Sequence, residues 1–197
     1  MLRLGIPAIL VALSARVLSA ASPVGVYLDF GEPASSTTVA AMQKEAAAIL
    51  EKVGIRIAWR LVSENQGNEP FDRLVVVKFT GKCACGGFLH PTREVLVLGS
   101  TAVASGQVLP YSEVRCDELR RLLPEIEFAA DRRRGDVALG RALARVLAHE
   151  LYHVLMGTTR HASSGAAKLL QSTEDLKSDE FAFEMSDWGL NQTPAAK

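Results

Sequence analysis

The chain has no net charge, because 22 basic residues (lysine and arginine) are matched by 22 acidic residues (aspartate and glutamate). This balance gives no electrostatic reason to expect nucleic acid or an anionic membrane as a partner. Hydrophobic residues make up 48% of the sequence, which excludes a disordered chain. A length of 197 residues suits a single domain with a proper core and is short for two domains.

The N-terminus also lacks an apolar run long enough to span a bilayer. Instead, a short apolar run at residues 4–13 follows the basic Arg3, and residues 19–22 are small enough to be cleavage positions. This is the pattern of a secretory signal peptide that is cut after Ala21. Arg16 stands between the apolar run and the cleavage positions, which leaves an uncleaved anchor as the alternative.

We therefore predict a signal peptide at residues 1–21 and a single domain at residues 22–197. Ser22 follows the cut where a lipoprotein would have cysteine, so a lipid attachment site is missing. The mature domain is expected to be secreted or periplasmic, without stable membrane association after signal cleavage. We expect it to be a monomer.

Cysteine is scarce as well, with Cys83, Cys85 and Cys116 the three in the chain. Cysteines two residues apart rarely bridge each other, so we expect either Cys83 or Cys85 to pair with Cys116, as suits an exported protein. The other cysteine would be a leftover thiol. A metal site on Cys83, Cys85 and His90 is the alternative, although C-x-C lacks the two-residue spacer that is usual in zinc knuckles.

Hydrophobic periodicity predicts strands through the first two thirds of the chain. Alternating or continuous apolar residues indicate strands at residues 24–30, 55–61, 74–79, 94–99 and 108–111. Apolar residues at helical spacing predict one helix after the first strand, with an N-cap at Ser36 and a stop at Gly54.

The last third of the chain is predicted to be helical. We expect a short helix at residues 117–123 that ends at Pro124, a long helix from a cap at Asp136 to Gly157, and a last helix over residues 172–186. The basic residues 132–134 are interpreted as a solvated loop. This order predicts a single α+β domain with a mixed, twisted β-sheet, one helix after the first strand and a long helix that carries the site.

Histidine is the scarce residue that matters most, because three of the four in the chain lie within residues 147–165. His149 and His153 are four residues apart, so on a helix they share one face and can hold one zinc ion. Glu150 would lie beside that metal and take a proton from the attacking water. This is the H-E-x-x-H arrangement of zinc peptidases.

A catalytic zinc needs three protein ligands and an open position. Gly157 can end the helix in a left-handed conformation, which lets the chain turn back and bring His161 to the same metal. Glu174, 21 residues after His153, is the rival third ligand. We therefore predict Zn²⁺ as the cofactor, bound by His149, His153 and His161.

The stretch HELYHVLMGTTRH resembles the extended zinc motif of metzincin-type metallopeptidases, and especially of small exported bacterial proteins of this kind. The resemblance covers about twenty residues. Gly157 and His161 follow His153 by four and eight residues, a longer loop than the family has, and Ala167 stands where the family has its Met-turn methionine. The resemblance implies a metzincin-like fold in which an edge strand, predicted at residues 95–98, binds an extended peptide.

These patterns predict an exported zinc metalloendopeptidase that hydrolyses peptide bonds through a zinc-activated water, with Glu150 as general base. Its partner would be a peptide or protein substrate. A catalytically weak or inactive zinc-containing binding protein is the alternative, because the methionine and a convincing transition-state donor are missing. Tyr111 is a weak candidate for that donor, and Tyr152 is interpreted as a packing residue. A structural domain without metal would leave the histidine cluster unexplained.

Overall fold

A computed structural model describes residues 22–65, 67–87, 89–90, 96–127 and 131–189. Within them the chain forms one mixed sheet in the order β2-β1-β3-β5-β4. The strands are β1 Val24–Phe30, β2 Ile57–Leu61, β3 Leu74–Thr80, β4 Gly99–Ala104 and β5 Gln107–Arg115. The pairs β1–β2, β1–β3 and β3–β5 are parallel, while β4 runs antiparallel to β5 at the edge of the sheet.

Helices supply the other layer of the domain. They are α1 Ser36–Glu51, α2 Cys116–Leu122, α3 Pro124–Glu127, α4 Arg132–Met156 and α5 Thr173–Lys177, with single 3₁₀ turns at Val62–Glu64, Gly165–Ala167 and Met185–Trp188. The apolar faces of α1 and α4 share one core with β1, β3 and β5. Gly140 of α4 packs against α1 so closely that a side chain there would lie 2.7 Å from the Cβ of Ala41.

The predicted fold class is confirmed as a single α+β unit with a mixed five-stranded sheet, a helix after the first strand and one long helix. One face of α4 is formed by leucines, and Leu143, Leu147 and Leu151 are fully buried. Leucine at every fourth position keeps one side of the helix in the core. None of the described helices has the length and apolar character needed to cross a membrane.

The prediction of a strand over residues 94–99 is wrong for residues 96–98, which are irregular, while residues 94 and 95 lie outside the described part of the chain. The hairpin turn explains the difference. Ser105 and Gly106 both have positive φ values, 52° and 77°, and form a two-residue turn between Ala104 and Gln107. This turn fixes the pairing of β4 with β5, so β4 begins at Gly99 and β5 runs well beyond the predicted residues 108–111.

The start of the long helix is also corrected. Residues 132–134 form its first turn and not a loop, because Asp131 is the N-cap and accepts a hydrogen bond from the backbone N–H of Arg133 at 2.9 Å. Asp136, the predicted cap, lies inside the helix and is buried. Its carboxylate accepts hydrogen bonds from the backbone N–H of Cys85 at 2.8 Å and from the hydroxyl of Ser35 at 2.7 Å.

The ends of other helices differ from the predicted ends by smaller amounts or in a single residue. Ser35 and not Ser36 is the N-cap of α1, and Pro124 begins α3 directly after α2 ends. A capping box at Ser172 starts the last helix as predicted, but this helix ends at Lys177. Residues 181–184 beyond it have no regular secondary structure, and Phe181 and Phe183 are buried there.

The disulfide joins Cys83 to Cys116, while Cys85 is buried outside it. The bridge connects the loop after β3 to the first residue of α2. Because Cys83 is oxidised, it cannot take part in the alternative metal site with Cys85 and His90. His90 itself is exposed.

We expect the Cys83→Ala, Cys116→Ala double variant to lose about 3 to 4 kcal/mol of unfolding free energy, the loop-closure value for a 33-residue separation. Urea titrations of the wild type with and without a thiol reductant measure this loss. The double variant is the matched control, since the reductant has nothing to cleave in it. Equal stability of oxidised and reduced wild type would show that the bridge does not stabilise the fold.

Candidate metal centre

Helix α4 buries the two histidines of the H-E-x-x-H motif and presents them together. His149 and His153 are 8% and 7% exposed, one turn apart on the same face of the helix. The helix ends just beyond them at Gly157, which has the left-handed φ of 59° and donates its N–H to the carbonyl oxygens of His153 and Val154. The predicted glycine stop is confirmed.

Backbone carbonyls fix the orientation of both imidazole rings. The Nδ1 atom of His149 lies 2.9 Å from the carbonyl oxygen of Ala166, and the Nδ1 atom of His153 lies 2.8 Å from that of Thr158. A carbonyl oxygen can only accept, so each Nδ1 carries the proton. In a neutral ring the Nε2 atom then has an unprotonated lone pair, which is the form that binds a metal.

The two Nε2 atoms face each other at 3.0 Å. A hydrogen bond between them would require one imidazolium, but burial lowers the pKa of His153 and lowers that of His149 to about 4. Two lone pairs at this separation can share a cation. A tetrahedral zinc ion with two nitrogens at about 2.05 Å would hold them about 3.3 Å apart, close to the observed spacing.

His161 completes a group of three. Its ring centroid lies 5.2 Å from that of His149 and 4.7 Å from that of His153. The ligand atoms of the three histidines all lie within 4.8 Å of one another, so together they can hold a metal ion. Glu174, the rival ligand, is exposed on α5 and does not belong to this group.

The 3₁₀ turn Gly165–Ala167 packs against the histidine group and holds one of its rings in place. Ala166 and Ala167 are fully buried, and the carbonyl of Ala166 is the one that orients His149. Two backbone hydrogen bonds hold this turn: Ala162 N–H donates to the carbonyl of Ala167 at 2.9 Å, and Ala166 N–H donates to that of Ala182 at 2.8 Å. Ala167, at the place of the expected methionine, therefore lies in a turn whose backbone positions the histidine.

Glu150 is 5% exposed and lies beside the histidines. Its carboxylate accepts a hydrogen bond from the hydroxyl of Thr101 on β4 at 2.6 Å. Burial raises the pKa of Glu150 to about 7, and the hydrogen bond from Thr101 opposes this rise. A carboxyl group with a pKa near neutrality is suited to accept and return a proton.

An open cavity of about 610 Å³ connects these groups to solvent. His149, Glu150, His153 and His161 all contribute to its wall. The rest of the wall is largely apolar, and its leucines come from the chain before β4, from the end of α2 and from the chain after the 3₁₀ turn: Leu96, Leu98, Leu122, Leu169 and Leu170. Leu169 and Leu170 are each 65% exposed, so two adjacent apolar side chains of the wall face solvent.

Two predicted tyrosines lie elsewhere. Tyr111 is 39% exposed on β5 and is not part of the cavity wall. Tyr152 is buried, and its ring contacts those of Phe183 and Trp188 with centroids 5.7 Å away from each, as expected of a packing residue. The positions that sequence reasoning missed are Thr101 and the carbonyls of Thr158 and Ala166, none of which a sequence motif marks.

Comparison of the chain with models of protein families, with curated proteins and with solved structures finds no match.

His161→Ala is expected to weaken zinc binding by more than roughly 100-fold, because loss of a direct ligand costs more than loss of a residue that only orients one. Competition with a fluorescent chelator measures this affinity. Glu174→Ala is the matched control and should change the affinity less than about 2-fold, since this exposed side chain is remote from the three nitrogens. The reverse order of effects would make Glu174 the third ligand.

Without metal, the stability of the wild type relative to Glu150→Gln should fall as the pH rises from about 4.5 to 7, because the folded wild type keeps the Glu150 proton that the unfolded state releases. The lowered pKa values of the histidines act in the opposite direction but are shared by both proteins. At pH 8 the loss would be about 3 kcal/mol, at about 1.4 kcal/mol per pKa unit. Urea unfolding with a chelator present should therefore show Glu150→Gln to be the more stable protein at pH 8 and equal to wild type near pH 4. Parallel curves for both proteins would contradict the raised pKa.

Proposed function

We propose that this protein is an exported zinc metalloendopeptidase in which His149, His153 and His161 bind the metal and Glu150 is the general base. One observation carries the proposal. A buried carboxylate stands directly beside three converging imidazoles, on the wall of one open cavity. Hydrolytic zinc sites combine these parts: three protein ligands, a free position and a base.

Zinc is the metal that this donor set favours. Imidazole nitrogens suit zinc, copper, iron and nickel, whereas magnesium and calcium require oxygen ligands. The histidine group contains no carboxylate or thiolate ligand among the described residues. Three nitrogens with an open fourth side match the catalytic type of zinc site.

The chain's own residues divide the chemical work. When bound, zinc polarises the scissile carbonyl and makes water more acidic. Glu150 accepts the proton of the attacking water at its carboxylate and returns it to the departing amine. The carbonyls of Ala166 and Thr158 keep the histidine Nε2 atoms directed at the cavity. The apolar wall lowers the water content around the reacting groups.

A peptide substrate is supported by the strand at the edge of the sheet. The strand β4 Gly99–Ala104 lies at one edge of the sheet and adjoins the cavity through Gly99, Ser100, Thr101 and Val103. Of the edge strand predicted over residues 95–98, residues 96–98 are irregular and residue 95 lies outside the described part of the chain. An edge strand has one row of backbone N–H and C=O groups that an extended peptide can pair with. Leucine side chains of the cavity wall would then contact the side chains of the peptide.

Export is supported by the disulfide. A bridge between Cys83 and Cys116 suits an oxidising compartment such as the periplasm or the cell exterior. The predicted signal peptide at residues 1–21 lies outside the described part of the chain.

The alternative, a zinc protein that binds peptides with little or no turnover, is favoured by one observation. The cavity wall contains no tyrosine, lysine or arginine among the described residues to donate to the developing oxyanion. Its neutral donors are Gln171 and the hydroxyls of serine and threonine residues.

Glu150→Gln decides between the two functions. We expect the variant to bind zinc as the wild type does and to lose more than about 100-fold in kcat/KM, the usual contribution of a general base. Cleavage of a fluorogenic peptide library and metal analysis of the same samples measure both properties. Glu174→Gln removes an exposed carboxylate as the matched control and should leave both unchanged. A zinc-loaded wild type that cleaves no faster than Glu150→Gln would establish the binding protein.

A further inference from the structure

The carboxylate of Glu150 is held by the edge strand as well as carried by its own helix. The Thr101 hydroxyl oxygen lies 2.6 Å from Oε2 of Glu150 and 3.2 Å from its backbone carbonyl oxygen. The same hydroxyl lies 3.0 Å from that of Ser112. Three elements, β4, β5 and α4, therefore meet at a single threonine oxygen.

The directions of these hydrogen bonds follow from the chemistry of the groups. An ionised carboxylate can only accept, so Thr101 donates its one proton to Glu150. Ser112 must then be the donor to Thr101. Ser112 is fully buried, so solvent does not compete for its hydroxyl. A hydrogen bond to a charged acceptor in such surroundings is among the stronger kinds.

The backbone of β4 confines the other side of the same carboxylate. A Cβ atom at Gly99 would lie 2.7 Å from Oε1 of Glu150 and 2.9 Å from its Cγ. Glycine is therefore required for the strand to pass this close to the helix. Thr101 directs one carboxylate oxygen, and the bare backbone at Gly99 leaves space for the other.

The register of the hairpin puts Thr101 in place. Thr101 lies opposite Ser112, and the pairing then shifts before Val103, which lies opposite Val108. Cross-strand partners lie on the same face of a sheet, which brings both hydroxyls toward α4. The irregularity therefore separates the part of β4 that contacts Glu150 from the part that forms the turn.

We propose that Thr101, itself oriented by Ser112, is the positioning residue of the general base and fixes the direction in which the Glu150 carboxylate faces the metal centre. This inference rests on the proposed function. It also means that β4, the strand proposed to pair with the substrate peptide, is the strand that orients Glu150.

Three variants test the role of the hydroxyl. Thr101→Val keeps the shape of the side chain without the donor, and we expect kcat to fall about 10-fold or more with zinc content unchanged and KM changed less than about 3-fold. Thr101→Ser restores the donor and should recover most of the lost kcat. Ser112→Ala should give a smaller loss of about 3-fold. Thr80→Val on β3, away from the cavity, controls for the loss of a strand hydroxyl.

A merely structural role for Thr101 would lower the stability and leave kcat intact. Wild-type kcat in Thr101→Val, with Glu150→Gln inactive in the same assay, would overturn the proposal. Gly99→Ala tests the same carboxylate from its other side and should also lower kcat, because the added methyl group displaces Glu150.

The carboxyl carbon of Glu150 gives a readout that needs no activity. In zinc-loaded protein with ¹³C-labelled glutamate, the NMR signal of this carbon is assigned as the one that disappears in Glu150→Gln. We expect Thr101→Val to move this signal and Thr101→Ser to leave it near its wild-type position. If the wild type cleaves no peptide but the signal moves, the proposed function fails and the positioning contact stands. An unmoved signal overturns the contact itself.

Discussion

The structure depends on burying three ionisable side chains of one helix at the same place. His149, Glu150 and His153 are each less than a tenth exposed, and burying such groups without partners costs several kcal/mol. Each has a partner on a different element: the carbonyl of Ala166, the hydroxyl of Thr101 and the carbonyl of Thr158. The loops and the edge strand around α4 are therefore placed where they can form hydrogen bonds with these three buried side chains.

This requirement explains how the loop from Gly157 to the 3₁₀ turn can be longer than in the metzincin-type proteins that the motif resembles, and can lack their methionine. The loop supports His149 through a main-chain oxygen, which any residue offers, so the side chain at Ala167 is free to be small. Ala166 and Ala167 are fully buried, and small side chains let the turn approach the helix. What the loop must keep is its backbone geometry, which begins at the left-handed Gly157.

The centre could be predicted from sequence where its residues are close along the chain. Helical spacing relates His149 to His153, and Gly157 marks the turn toward His161. Thr101 could not be found in this way, because it is 49 residues from Glu150 and reaches it through the register of the hairpin. The choice of Cys83 over Cys85 as the partner of Cys116 likewise depends on how the chain packs after β3.

Contacts between residues far apart in the sequence also explain why the N-cap of α4 was wrongly predicted. Both Asp131 and Asp136 are good capping residues, and the sequence offers no local reason to prefer the first. Asp136 is instead needed in the core, where it ties the Cys85 loop and the start of α1 to the long helix. Burial by itself raises the pKa of Asp136, but its several hydrogen bonds together outweigh burial and hold that pKa below the ordinary value. Glu150 has one side-chain donor, and burial raises its pKa to about 7. The same helix therefore contains one carboxylate that its donors keep ionised and one whose pKa lies near neutral pH, the property that the proposed general base needs.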